Sequence, residues 1–451
     1  MPALLTIAPT FSFREESFGG IGFFRVFSKH WQRQYYYLDS NAFLLFQYLD
    51  ENPGLSMDEL LAVVPEELVE PVQEQLTDWL KEGILTTTDQ LANYTSRLRQ
   101  SQVTRSDILS GPVEVNYFAT SACTQRCEFC SAGQHLHQVN DEMQPADIDR
   151  LLQTLRQIGP FKFYFVGGEP TLCRHLEYFV DGLNQLGMDV GLSTNGTGCS
   201  VERLEWLMQQ GVDITFSLLS SQPVIHDAMV RRPGAFDQIW SSIQTLKRKD
   251  YRIEVSSVMT NRNFHSLPEY VHFLGKAGVD SLILLHAFPL GYMRTRLSDI
   301  PDRPTFMEHT RQAAAIAEEY GMKFRALCRF DFVFTGEPLA EENELTPYFG
   351  RQKGCSAGLR HVTLFPSGDL YPCDFLTDTN WRLGNILHDD FKTIWDHSSL
   401  LETFRQLQSP VECSNCRFQE ICFGGCPAVT YLNGEGLSLP NPQCPILGNE
   451  P

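Results

Sequence analysis

The sequence predicts an α/β chain in which a partial barrel of six β/α units, (β/α)6, lies between a small N-terminal module and a cysteine-rich C-terminal domain. Three observations predict it. From Val113 to about residue 330, short apolar stretches alternate with amphipathic helical ones, an order that gives parallel strands joined by right-handed crossovers. A compact cysteine triplet directly follows the first of those strands, at the barrel end where chemistry is placed. Seven of the 13 cysteines fall after residue 350. The expected division is 1–95, 96–112 as a linker or bridge, 113–330, and 331–451.

In the first module, Phe18 to Val26 and Gln34 to Leu38 read as β-rich pieces. Asn41 to Leu49 and Met57 to Val64 read as helices, and Leu68, Val72, Leu76, Trp79 and Leu80 recur at helical spacing until Gly83 breaks the pattern. The barrel strands are expected at Val113 to Phe118, Phe161 to Val166, Val190 to Ser193, Asp213 to Leu218, Arg252 to Val258 and Ser281 to His286. Helices such as Ala146 to Ile158, His175 to Leu186 and Phe236 to Lys249 lie between them.

Composition narrows the function. A chain of 451 residues holds two or three domains. Its formal net charge of -19, with pI near 5.1, lacks the basic footprint that nucleic acid or an anionic membrane requires. The N-terminus has no signal-like pattern and no stretch is long and apolar enough to span a bilayer, so a cytoplasmic protein is expected. There, 13 cysteines argue for metal binding or catalysis before disulfides.

Cys123, Cys127 and Cys130 form C-x3-C-x2-C, too compact for a structural zinc site. Three thiolates from one loop can hold three irons of a cubane 4Fe-4S cluster and leave the fourth open to a ligand. With the aromatic Phe129 before the last cysteine, the run resembles the signature of the radical S-adenosylmethionine (radical SAM) superfamily. The resemblance implies that the open iron chelates SAM and that reductive cleavage yields a 5'-deoxyadenosyl radical. It implies further SAM contacts. Gly167, Gly168, Glu169 and Pro170 match the family's GGEP element, whose backbone takes the SAM amino group. Ser193-Thr194-Asn195-Gly196 resembles another common element, and Ser217 ends the fourth strand where relatives hydrogen-bond SAM. Many relatives carry an arginine four residues after the histidine that is His226 here; that position is Val230, so Arg231 or Arg232 takes over the carboxylate contact.

The C-terminal cysteines run C-x12-G-x4-C from Cys355 to Cys373, then C-x2-C-x5-C-x3-C from Cys413 through Cys416 and Cys422 to Cys426, then Cys444 after x17. This resembles the SPASM domain, which implies two auxiliary 4Fe-4S clusters. By that resemblance Cys413, Cys416, Cys422 and Cys444 hold the outer one, and Cys355, Cys373 and Cys426 the inner one, which then lacks a ligand. Cys328 is the nearest upstream candidate. Three readings stay open for it: cluster ligand, hydrogen-atom donor to a substrate radical, or buried core thiol.

Strand, strand, then three helices in the first module resembles the winged-helix-like domain that binds leader peptides. In physical terms the leader would add a strand to an exposed sheet edge. Leader-binding module, radical SAM barrel and SPASM domain in this order resemble maturases of ribosomally synthesised, post-translationally modified peptides, the subtilosin-type thioether and cyclophane-forming maturases among them. The implied partners are a precursor peptide, leader plus core, and an electron donor such as flavodoxin or ferredoxin. The implied reaction is oxidative intramolecular crosslinking, carbon-carbon or thioether. Redox-neutral epimerisation, in which Cys328 would be the catalytic hydrogen donor, and sulfatase-type protein maturation are the alternatives.

Overall fold

In the computed structural model, Ser56 Oγ accepts the amide of Glu59 and the Glu59 carboxylate accepts the amide of Ser56 at 2.8 Å. This reciprocal capping box starts the helix Met57–Leu61. Asp39 caps the helix Ser40–Glu51 in the simpler way, and Val69–Glu82 stops at Gly83, whose φ of 78° lies in the left-handed region. These polar residues fix where each helix begins and ends. Phe46 and Trp79, with ring centroids 4.2 Å apart, fix how two of them pack.

The structure describes residues 4–25, 33–88, 96–136, 142–326, 355–434, 436–441, 444 and 446, in two compact units. Among the described residues the first unit joins the chain up to Gly111 with Leu155–Phe161. Its strands are β1 (Leu4–Ile7), β2 (Phe11–Glu16), β3 (Gly19–Arg25), β4 (Arg33–Leu38), β5 (Leu55–Ser56), β6 (Leu85–Thr88) and β7 (Leu98–Arg99). They form a three-stranded sheet, β5-β1-β6, and a four-stranded one, β4-β3-β2-β7. The expected strands at 18–26 and 34–38 are β3 and β4, and the three helices fall where their spacing places them. The two strands before them, β1 and β2, were not expected.

The segment 96–112 is no free linker. Ser96 Oγ and the Arg97 amide both donate to the Asp50 carboxylate, at 2.5 and 2.7 Å. Ser110 donates twice to Glu16, whose carboxylate is paired with Arg14 at 2.6 Å; both members of that pair are 0% exposed. Arg14 also donates to the carbonyls of Gly111, Ile158 and Gly159.

The second unit is built on one ten-stranded sheet. Its parallel strands are β8 (Glu114–Phe118), β9 (Lys162–Val166), β10 (Asp189–Thr194), β11 (Asp213–Ser217), β12 (Glu254–Met259), β13 (Ser281–His286), β14 (Lys323–Ala326) and β15 (His361–Leu364). Antiparallel β16 (Asp369–Tyr371) and β17 (Gly384–Asn385) end it. The six expected barrel strands are β8 to β13, each within one or two residues. Two features exceed the expectation. β14 adds a seventh parallel strand, and β15, from the cysteine-rich region, pairs in parallel with β8.

Alternation along these strands sorts two faces. Tyr117, Phe163 and Phe165 pack with Phe179 of the helix Leu176–Gln185, so that face is the outer one. Tyr164, Ser193, Thr215 and Glu254 lie on the other face, inside the barrel. There the Tyr164 hydroxyl donates to Thr215, which donates to the Glu254 carboxylate, and Arg325 donates to the second oxygen of Glu254. The ring of Tyr164 lies over Gly191, where a Cβ would come within 2.6 Å of it.

Candidate active site

Cys123, Cys127 and Cys130 sit on the loop after β8, half-buried. That loop is sewn down along its length. Gly168 N donates to Thr120 O and Glu169 N to Ala122 O, both at 2.8 Å, while Arg126 N and Glu128 N donate to the carbonyls of Val230 and Met229. A Cβ on Gly168 would meet Ala122 O at 2.2 Å, so only glycine lets the two segments approach this closely. Both amides are thus spent on the cysteine loop, and the Glu169 carbonyl accepts Leu172 N at 2.9 Å.

The Glu169 carboxylate turns inward. At 1% exposure it accepts from Thr171 Oγ, Thr194 Oγ and the Asn195 amide, at 2.5, 2.7 and 2.7 Å. Burial raises its pKa, and these donors hold it down. Asn195 carries the link onward: its Nδ2 donates to Thr124 Oγ at 3.1 Å and points at Cys123 Sγ at 3.7 Å. The GGEP carboxylate, the end of β10 and the first cysteine are therefore one polar assembly.

The other expected cofactor residues lie on neighbouring elements. Phe129 and Cys127 pack against Leu219, Met229, Val230 and Ala235. Ser193 Oγ is 3.0 Å from the Tyr164 hydroxyl, and Ser217 ends β11, half-buried. Arg231 is exposed and has a φ of 52°, whereas Arg232 donates from its guanidinium to Thr124 O inside the cysteine loop. His226 is fully buried and burial lowers its pKa to about 4; its Nδ1 accepts the Leu219 amide, which makes it a support for the end of β11.

The C-terminal cysteines gather in two sets. Cys355 and Cys373 pack on buried Cys426 in one apolar cluster with Tyr371, Trp381 and Val429. Burial pushes the Cys373 thiol well above its ordinary value, and Cys426 and Cys355 push the same way. In the second set, burial and then Cys444 raise both Cys413, to about 11, and Cys422, to about 12, with Cys416 adding to each. The first loop behaves alike: burial raises Cys130 to about 11 and lifts Cys127 well above its ordinary value, with Cys123 contributing to both. The thiols raised in this way enter protonated, so metal loading there is coupled to proton release. Among the described residues no three Cys, His, Asp or Glu converge tightly enough to hold a single metal ion. Three or four thiolates are the usual ligand set of an iron-sulfur cubane. Cys328 lies outside the described residues. Cys173 is buried and Cys199 half-buried, and neither joins a set.

Sequence reasoning missed the inner polar chain from Tyr164 to Arg325, the Arg232 contact, and the placement of buried Glu128 between Arg262 and Arg296. One signal for the first was available. Parallel strands covered on both faces read as continuous apolar runs, yet Tyr164, Ser193, Thr215 and Glu254 interrupt theirs at alternate positions.

Residues 117–275 match the Radical SAM superfamily, and residues 355–417 match SPASM, an iron-sulfur cluster-binding domain. The chain is a radical SAM/SPASM enzyme. Radical SAM/SPASM enzymes bind SAM and 4Fe-4S clusters, and free cysteines grouped in threes and fours are the ligand type those clusters take. Among curated relatives, this enzyme is 27% identical to mycofactocin maturase MftC of Mycobacterium tuberculosis, covering 76% of this chain and 85% of that one. It is 24% identical to PqqA peptide cyclase of Rhodopseudomonas palustris, over 74% and 87%. Among solved structures, Streptococcus suis SuiB bound to precursor peptide SuiA shares its fold at a TM-score of 0.71 with 17% identity, covering 97% of this chain and 99% of that one. No helix among the described residues of the enzyme is long and apolar enough to cross a membrane.

Proposed function

We propose that this enzyme is a maturase that crosslinks a ribosomally made precursor peptide within itself, through a carbon-carbon or thioether bond. The observation that carries the reading is the pair of curated relatives, a maturase and a peptide cyclase, matched over about three quarters of the chain. Two structural features support it. The first unit presents β4 as an end strand of its sheet among the described residues, an edge that an extended leader can join by β-augmentation. A leader held there raises the effective concentration of the core peptide at the barrel, so a weakly bound core is still processed.

In this reading Cys123, Cys127 and Cys130 hold the SAM-binding cluster. Cys413, Cys416, Cys422 and Cys444 hold one auxiliary cluster, and Cys355, Cys373 and Cys426 the other. Gly167, Gly168, Glu169 and Pro170 lend backbone to the SAM amino group, and Phe129, Ser193, Asn195, Ser217 and Arg231 border the same ligand. Cluster and SAM together supply a 5'-deoxyadenosyl radical. The chain's own part is to hold that chemistry still and dry. Glu169 pins the Asn195 turn, Asn195 braces the first cysteine, and the apolar packing of Phe129 and Cys127 keeps water from that side. Joining two peptide groups removes two hydrogens: one leaves as an atom to the radical, the other as a proton and an electron, which an auxiliary cluster would accept.

The test is high-resolution mass spectrometry of a short peptide encoded beside this chain, coexpressed with it anaerobically in ordinary and deuterated water. Loss of two hydrogens per crosslink, mapped by fragmentation, is expected. Unchanged mass in ordinary water with deuterium installed at Cα would replace crosslinking by epimerisation.

A further inference from the structure

Gln125 lies between the first two cysteines of the loop after β8, and only 3% of it is exposed. Its Oε1 accepts the Cys127 thiol at 3.5 Å, whereas its Nε2 is buried and has no hydrogen-bond partner among the described residues. A glutamine amide nitrogen carries two N–H donors. Leaving them dry is costly, so a buried amide in this state calls for an acceptor that the polypeptide itself does not supply.

The three sulfurs of the loop are unequally served. Cys123 takes the main-chain amides of Thr124 and Gln125 and faces Asn195 Nδ2, and Cys130 takes the amide of Ala132. Cys127 has less. The amides on either side of it, Arg126 N and Glu128 N, donate to Val230 O and Met229 O, and its side chain packs on Leu219, Met229, Val230 and Ala235. Beyond its own amide, that sulfur has one hydrogen-bond partner among the described residues, the Gln125 side chain. In this contact the thiol is the donor and the amide oxygen the acceptor. A sulfur bound to iron carries no hydrogen and can only accept, so the same arrangement would then set oxygen against sulfur. A half-turn about the last torsion of Gln125 exchanges its oxygen and nitrogen in place, which brings Nε2 to the sulfur at the same reach and gives the idle donor its acceptor.

We propose that Gln125 is a positioning residue for the cluster held by Cys123, Cys127 and Cys130: once iron is bound, its side-chain amide donates to the Cys127 sulfur and raises the reduction potential of that cluster. The inference rests on the reading of Cys127 as an iron ligand. With its main-chain amide on Cys123 and its side chain on Cys127, one residue serves two of the three ligands. An N–H directed at a bound sulfur stabilises the extra negative charge of the reduced form, which is how hydrogen bonds to the sulfurs set such potentials.

The experiment uses the cluster-loaded, full-length enzyme and reads the potential from the EPR signal that changes when SAM is added, which separates this cluster from the auxiliary ones. Gln125→Met keeps the length and bulk of the side chain without its donor. Gln125→Asn keeps the amide but stops one methylene short of the sulfur. Both are expected to load the native amount of iron and to lower the reduced fraction at a fixed potential about tenfold, a negative shift of about 59 mV for a one-electron couple. Gln125→Asn adds no bulk, and it carries the test if the methionine variant takes up no iron. A native potential in either loaded variant would overturn the inference, because packing alone would then account for the buried amide. A SAM-dependent signal that persists in Cys127→Ala would instead remove the reading of Cys127 as an iron ligand, and the inference with it.

Discussion

The Glu169 carboxylate accepts the main-chain amide of Asn195 at 2.7 Å, and through Asn195 it reaches Cys123. The acid of the glycine-rich element is thus a clasp between two strand ends. Glu169→Gln keeps the shape but turns one acceptor into a donor that faces Thr171, Thr194 or the Asn195 amide. We expect a loss of about 2 kcal/mol in stability, from donors left unpaired in a buried site, together with a large drop in deoxyadenosine formation. Urea titration and product analysis check the two parts separately.

Asn195→Leu removes the amide that points at the Cys123 sulfur. Hydrogen bonds to a thiolate stabilise the reduced cluster, so the reduction potential should move in the negative direction with iron content unchanged. Potentiometric titration followed by EPR measures the shift, and an unchanged potential would show that the Nδ2 contact at 3.7 Å does nothing electronically.

The three thiol sets should empty independently. Cys127→Ala is expected to abolish deoxyadenosine formation, whereas Cys416→Ala should lower iron by about four atoms per chain and leave SAM cleavage in place. Iron analysis beside product assay distinguishes these outcomes from general unfolding.

His226 makes stability depend on pH. Its pKa is about 4 in the folded chain against an ordinary 6.5, so on acidification the unfolded chain takes the proton first. The contribution is complete above about pH 6.5, falls by at most about 1.4 kcal/mol per unit below it, and levels off near pH 4. His226→Asn should flatten that slope. Urea midpoints at pH 7 and pH 5.5 for both proteins are sufficient to see it.

Arg14 and Glu16 form a pair with no exposure to solvent. Arg14→Ala strands a buried carboxylate and should cost the first unit about 3–5 kcal/mol, while Arg14→Met with Glu16→Leu should restore most of it. Limited proteolysis and urea melting of the full chain report the difference.

Motifs and periodicities made much of this protein legible beforehand. Cys123 to Cys130, the GGEP run and the C-terminal cysteine spacings are dense local signals, and β8 to β13 announce themselves as short stretches with buried apolar residues that alternate with amphipathic helices. What stayed hidden depends on partners distant in sequence. Nothing around Glu128 shows that Arg262 and Arg296 will close on it, and nothing in the dipeptide Arg231-Arg232 tells which guanidinium enters the cysteine loop. The αL conformation at Arg231 decides that, and it is a property of how the helix Pro223–Val230 ends. The partners of the linker or bridging segment 96–112 were hidden for a similar reason. Its polar residues look solvated until Asp50 and Glu16 are seen to bind them.

The parallel pairing of β15 with β8 also bears on synthesis. The register joins Glu114 to His361, so β8 leaves the ribosome with one edge open and waits about 250 residues for its neighbour. An unpaired apolar strand edge is an invitation to aggregate during that interval. A chain cut before residue 361 should therefore be insoluble even though its SAM-binding motifs are complete, and a chimera that exchanges the C-terminal region for a relative's must carry a strand able to zip onto Glu114–Phe118.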